Sequence, residues 1–535
     1  MTAGHAIFIA VLVIALAFFS YNAQRLVRYM LSVGQPDDRS GGVAVRIRNL
    51  LAIGLGQTKI LRDPLPGMMH ALIFWGFVVL TVGTAEILIS GVVPGFSYAM
   101  LLPGPLYALY TLSQELFALL VLAAVAMLLY RRIVVKPRRL QGDRVHSGDA
   151  IFILAMIGAL MVTLISLGAA EFALHPGAGT IFKPASFALS QAFGAVSPAS
   201  LEAIRDVSWW GHALLVLVFL NYLPYSKHLH VITSLPNTYL SNTSGPGVKG
   251  AMSYMDLEAE GVEVFGAADV TQLQWKNLLD SYSCTECGRC TAACPANLTG
   301  KPLSPRKIMI NTRQRLMELA PLATGDFGEF EHPHLDMGEG ADARQQGVDS
   351  DTVTSALGNR LLDNYITEDE LWACTSCRAC VVECPVSIDQ LDIINELRRN
   401  LVLMESRFPP EIQPAFESME RNGSPWAFDP GDRAKWADGM DIPTMAEMVE
   451  RGERPEVLFW VGCMGSFDDR AKKIAVAFAR VLQAAKIKFA ILGQEEKCNG
   501  ERFQIGGRYR GRFDGTAGRR RRPRWPRPGR RPGAG

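Results

Sequence analysis

Two cysteine-dense runs carry the most specific chemistry in the chain. CTECGRCTAACP places Cys284, Cys287, Cys290 and Cys294, and CTSCRACVVECP places Cys374, Cys377, Cys380 and Cys384. Both read C-x2-C-x2-C-x3-C-P. Four thiolates hold a [4Fe–4S] cube, and in this spacing the fourth cysteine serves the other cluster. The expectation is one cube on Cys284, Cys287, Cys290 and Cys384, and a second on Cys374, Cys377, Cys380 and Cys294. Structural zinc also favours Cys-x2-Cys pairs. It needs neither a third cysteine three residues on nor a closing Cys-Pro, and here the whole pattern occurs twice. None of the ten cysteines precedes Cys284, which fits metal ligation in a reducing compartment better than a disulfide framework.

Histidines are the second set. His70 stands in GMMHALIFWGF, His212 in WWGHALLVLVF, and His228 with His230 in LPYSKHLHV. On one continuous helix His212 and His230 would be roughly 27 Å apart and could not share a ligand. His70 and His230 fall at the same depth, and two neutral imidazoles from neighbouring helices are what a six-coordinate b-type haem needs. The competing reading makes His228 and His230 interfacial residues beside a Lys227 that reaches for headgroups. Glu86, Glu115 and Glu171 lie in or beside apolar runs, where an ionisable group is costly and points to a site. Glu86, with His212, is the candidate for a quinone-linked proton site.

Positioning these groups falls to a strongly apolar first half. Hydrophobic residues make up 49% of the 535, concentrated in runs over 6–22, 68–90, 108–130, 149–170 and 207–227. Each approaches the roughly 20 residues that cross a bilayer, so five transmembrane helices are expected, the first lacking the basic start and cleavage site of a signal peptide. The loops 23–66 and 131–144 are rich in Arg and Lys, whereas those near 91–107 and 171–206 hold few cations. By the positive-inside rule the N-terminus lies outside and everything after Tyr225 is cytoplasmic, in a multi-pass cell-membrane protein.

At this point the chain resembles known families. HALLVLVFLNYLPYSKHLH, residues 212–230, is similar to the last helix of the respiratory nitrate reductase gamma subunit, a five-helix di-haem cytochrome b. That family carries two histidines ten residues apart on its second helix, where this chain has His70 and then Leu80. The resemblance therefore implies one complete pair, His70 with His230, and leaves His212 without its usual partner. A second haem would have to draw on His5 or His175.

Residues 456–498 read as strand, amphipathic helix (Ile474, Phe478, Val481, Leu482 and Ala485 on one face), strand and EEKCNG. They resemble the opening of a cysteine-rich CCG domain of heterodisulfide reductase catalytic subunits. Cys463 and Cys498 would be half of its site, with Lys497 where the first Cys of the usual pair stands. From Arg508 to Gly535 there are 11 Arg and one Asp, so the formal +2 hides about −8 elsewhere. Such a composition packs no core. It is read as the product of a shifted frame, with no nucleic-acid partner expected.

The domain plan is thus a cytochrome b domain at 1–231, a linker at 232–275, a 4Fe–4S dicluster domain of α-helical ferredoxin type at 276–400, a helical connection at 401–453, a partial CCG domain at 454–507 and the tail at 508–535. The fold class expected is mainly α, with a five-helix transmembrane bundle and a short α/β fragment at the end. The combination resembles membrane-bound iron–sulfur oxidoreductases linked to electron-transfer flavoprotein and menaquinone. It implies electron passage from a cytoplasmic redox protein through two cubes and haem b to a quinone in the lipid bilayer. A heterodisulfide reductase-like enzyme and a non-catalytic relay subunit are the alternatives.

Overall fold

The structure, a computed structural model, describes residues 3–141, 144–175, 182–243, 255, 260–324 and 358–498. The Arg-rich tail from 508 lies outside them. The chain divides into two units, Met1–Ala251 with Ala268–Ile394 and Met252–Ala267 with Asn395–Gly535.

Five long apolar helices open the first unit: α1 (Ala3–Val33), α2 (Pro64–Val92), α3 (Gly104–Tyr130), α4 (Arg144–Leu174) and, after the short α5 (Pro184–Gln191), α6 (Pro198–Tyr222). Their apolar spans run 27 to 32 residues, enough at 1.5 Å per residue to cross a hydrocarbon layer of about 30 Å. Proline at the first turn starts α2, α5 and α6, where its missing N–H costs nothing. Helix pairs α2–α3, α3–α4 and α4–α6 pack against one another, and their shared core includes Leu80, Ala118, Val121, Val125 and Met161.

Glu115 of α3 is fully engaged. Its carboxylate accepts from the Ala185 and Ser186 amides at 3.1 and 3.0 Å and from the Ser186 hydroxyl, so it satisfies the first turn of α5. Glu171 is instead half-exposed beside His175 and Arg205.

Contrary to the continuous helix assumed above, α6 stops at Tyr222. Two tight turns, Leu223–Tyr225 and Lys227–Leu229, follow before α7 (His230–Tyr239) begins. Pro224 cannot donate to the ladder, and Ser226 starts the second turn by accepting from the His228 amide at 3.0 Å. His230 therefore stands at the head of a new helix.

Further helices of this unit include α8 (Trp275–Tyr282), α9 (Arg289–Ala292), α10 (Pro305–Thr324) and α11 (Ala379–Glu383). Helix α1 packs on α10, and α9 packs on α11. Arg315 of α10, 1% exposed, holds Asp269 through two parallel bonds (Nε–Oδ1 2.9 Å, Nη2–Oδ2 2.6 Å) and donates to the Asn359 carbonyl.

In the second unit β1 (Val457–Leu458) and β2 (Phe489–Ala490) pair in parallel, connected through α12 (Gly462–Phe467) and α13 (Asp469–Ala484). Of the helical face predicted for α13, Leu482 is buried as expected and the remainder is corrected here. Ala475, Ala479 and Leu482 enter the core with Trp436, Phe489 and Ile491, whereas Ile474, Phe478 and Val481 are exposed. Periodicity marked an apolar stripe correctly, but a two-stranded sheet covers only its small-residue edge.

Candidate redox site

The two cysteine loops adopt the same backbone course. Glu286 and Gly288 in the first have φ of 55° and 71°, and Ser376 and Arg378 at the equivalent positions have 53° and 64°. These left-handed residues bend the two loops at equivalent positions. Each loop then enters a short helix, α9 or α11, and α9 rests on α11.

Their thiols are close enough to perturb one another. Burial pushes the Cys290 thiol far up, and Cys284, Cys287, Cys384 and Cys380 add to the effect. Cys380 is raised by burial and then by Cys374, with Cys294 also contributing. Burial likewise pushes Cys284 up to about 12, and Cys384 up to about 11 against the pull of Lys59. Buried, crowded thiols of this kind surrender their protons to a metal. Eight cysteines in two repeats, with thiols near enough to influence one another, are a donor set that suits iron–sulfur clusters. The Ile388 amide donates to Cys384 Sγ at 3.3 Å and the Ser376 amide to Cys374 Sγ at 3.4 Å, the kind of contact that tunes cluster sulfurs. Cys377 is exposed, while Cys284, Cys290, Cys294, Cys380 and Cys384 are buried.

Loops of the helical bundle hold this region from below. Lys59, buried, donates to the Cys384 carbonyl at 2.8 Å. Arg289 reaches the Lys59 and Ile60 carbonyls at 2.9 and 3.1 Å, and Arg306 donates to the Arg139 carbonyl at 3.1 Å. Both loops read above as cation-rich are thus contacts for the cysteine region.

A cavity of about 1380 Å³ connects the two parts, lined by His70, His212, His228 and His230 and also by Thr285, Glu286 and Cys287. His70 Nδ1 donates to Gln57 Oε1 at 3.1 Å and His230 Nδ1 to the Lys227 carbonyl at 3.0 Å. Both rings are thereby oriented, with the proton on Nδ1 and the Nε2 lone pair available to a metal. Burial, then the neighbouring His228 and further His70, lowers the pKa of His230 to about 3, so it is neutral at physiological pH. The residue lies deep in the protein and keeps accessible surface because it faces the cavity. Two oriented imidazoles, His70 and His230, lining one large and mainly apolar cavity are a donor set that fits a haem.

The remaining candidates fall elsewhere. His228 lies 3.3 Å from Asp149 and shares it with Tyr222 and Ser226. Glu86 accepts from the Ser97 hydroxyl, the Tyr98 amide and the Tyr110 hydroxyl, each at 2.7 Å. His212 Nδ1 meets the Leu160 carbonyl at 3.2 Å and Thr163 Oγ1 at 3.1 Å. In the second unit the Cys463 thiol is hydrogen-bonded to Cys498 and to Arg433 (3.5 Å), and these contacts, the Cys498 one first, lower its pKa to about 6. Glu496 faces Arg433 at 3.4 Å and accepts from the Val461 and Gly462 amides. Sequence reasoning missed Gln57, Lys59, Gln114 and Arg433. The partners of His70 and Cys384 come from a segment whose own pattern says only "loop".

Five helices long enough to span a membrane, joined to two cysteine loops built for iron–sulfur chemistry, define an iron–sulfur oxidoreductase of membrane-anchored type. Residues 283–388 match the model of the 4Fe-4S dicluster domain family. Over 511 residues the chain is 34% identical to the probable iron-sulfur-binding oxidoreductase FadF of Bacillus subtilis, covering 94% of this chain and 70% of that one. It belongs to that family of iron–sulfur-binding oxidoreductases. It is also 30% identical over 475 residues to the EtfAB:quinone oxidoreductase of Syntrophomonas wolfei, covering 86% of this chain and 64% of the relative. A shorter match, 27% over 236 residues (43% of this chain, 48% of the relative), is to a dihydromethanophenazine:CoB--CoM heterodisulfide reductase chain of Methanosarcina barkeri. No solved structure gives a significant match.

Proposed function

We propose that this protein passes electrons from a cytoplasmic donor to menaquinone in the bilayer, through two [4Fe–4S] clusters and one b-type haem. The observation that carries this reading is the shared cavity, whose wall includes His70, His230 and Cys287. Cys284, Cys287, Cys290 and Cys384 hold the cluster beside that cavity. Cys374, Cys377, Cys380 and Cys294 hold the other, and the exposure of Cys377 makes it the point of electron entry. Cys284, Cys287 and Cys384 act on Cys290 ahead of Cys380, and Cys374 acts on Cys380 ahead of Cys294, an order that favours this crosswise division.

His70 and His230 would hold the haem, which would supply one-electron chemistry between cluster and quinone. Gln57 and the Lys227 carbonyl fix the ligand tautomers, and Lys59 and Arg289 keep the cysteine loops seated over the cavity. Electron-transfer flavoprotein is the donor favoured by the name of the Syntrophomonas relative. The cation-rich loops on the cluster side support a cytoplasmic cluster domain, an external N-terminus and location in the cell membrane. Glu86 and His212 belong to the outer, quinone-side half. Cys463 and Cys498 are half of a CCG site.

Dithionite-reduced spectra of the full chain in detergent test the haem. Wild type shows a b-type band, and His230→Ala loses it while keeping its iron and acid-labile sulfide; an unchanged band overturns the pairing. Reoxidation of the reduced protein by a menaquinone analogue tests the acceptor.

A further inference from the structure

Deep in the bundle, two residues that line the cavity each carry a buried hydrogen-bond acceptor with no donor among the described residues. His212 is 3% exposed. Its Nδ1 partners are the Leu160 carbonyl and Thr163 Oγ1. The Thr163 hydroxyl already donates to the Ala159 and Leu160 carbonyls at 3.0 Å each. Both partners therefore accept, the ring proton sits on Nδ1, and Nε2 is a bare lone pair. That atom is buried with no partner among the described residues.

Gln114, 9% exposed, repeats the situation. Its Nε2 donates to the Val79 carbonyl at 3.1 Å, which fixes the amide orientation, since a carbonyl cannot donate. Oε1 is left buried and unpartnered among the described residues. It lies against Gly83, where a Cβ would come within 2.4 Å of it. The nearby Tyr110 hydroxyl gives its proton to Glu86. Both residues line the same cavity. Two orphaned acceptors in an apolar setting cost free energy unless a ligand supplies the donors.

An iron on His212 would need a second axial group, and Leu80 packs into the core with Ala118, Val121 and Met161. Neither His5 nor His175 lines the cavity. Phe77 and Val78, both exposed and on the cavity wall, add apolar surface suited to a lipid-soluble molecule.

We infer that His212 Nε2 and Gln114 Oε1 form a binding site for the reduced, hydroquinone state of a quinone, whose hydroxyls donate to them. The identity of the ligand rests on the quinone reading above. A quinone carbonyl offers only acceptors and leaves both groups unmet, so the site discriminates between redox states. A site that prefers the reduced form draws electrons toward the quinone. This differs from a second haem site and involves a residue, Gln114, that no sequence pattern marked.

Anaerobic equilibrium dialysis of the full chain in detergent against menadiol and menadione tests the site. Wild type should bind menadiol at least about tenfold more tightly than menadione, as for a site whose buried acceptors need a hydroxyl. His212→Leu and Gln114→Leu should each lose about tenfold in menadiol binding with little change for menadione, and both should keep the haem and iron–sulfur spectra, which report folding. Equal affinity for the two probes, unaltered binding in both variants, or loss of the b-type band in His212→Leu overturns the inference. If wild type shows the menadiol preference but no reoxidation by a menaquinone analogue, the electron-transfer reading falls and the site stands. If reoxidation proceeds without the preference, the reverse holds.

Discussion

Gly288 and Arg378 occupy equivalent places in the two cysteine loops and both have positive φ, yet they are not equally replaceable. A Cβ at Gly288 would lie 2.4 Å from the Arg139 carbonyl oxygen, which also accepts from Arg306. Gly288→Ala is expected to cost about 1–3 kcal/mol from the left-handed backbone and the clash, seen as a lower midpoint of thermal cluster bleaching. Arg378→Gly should leave that midpoint nearly unchanged. The cysteine ligand types were legible from spacing alone, because cube coordination tolerates few alternatives. The difference between Gly288 and Arg378 was not, since it depends on a neighbour about 150 residues away in sequence.

At the level of elements, the apolar runs announced their helices, because hydrocarbon leaves the backbone no other partner than itself. Their ends were harder to see. The histidine spacing from 212 to 230 looked like one helix, and Pro224 was a visible warning whose consequence, two tight turns, took tertiary context to settle. Helix α5 and its carboxylate cap Glu115 were hidden for a similar reason: an acceptor on α3 meets donors 70 residues later. Helix α10 depends on the same kind of remote pairing. Arg315→Met leaves Asp269 half-buried without its cation and is expected to destabilise the cluster domain by about 3–5 kcal/mol. Loss of cluster absorbance on heating should come at a clearly lower temperature, and an unchanged midpoint would show that the pair contributes little beyond its packing.

For the whole molecule, composition and cysteine placement foretold an apolar part followed by an iron–sulfur part. They could not foretell that the two share one contact unit. Buried Lys59, with Arg289 and Arg306, reaches main-chain carbonyls across the junction, and such contacts leave no trace in residue pattern because any residue can supply a carbonyl. This stitching has a mechanical corollary. A cluster domain fastened at several main-chain points does not need to swing to deliver its charge, so the internal step involves no large displacement through solvent. With the soluble donor proposed above, turnover measured in glycerol or sucrose should slow with rising viscosity only when that donor is scarce and its encounter limits the rate. At saturating donor, viscosity should have almost no effect, and a proportional slowing there would reveal a swinging domain.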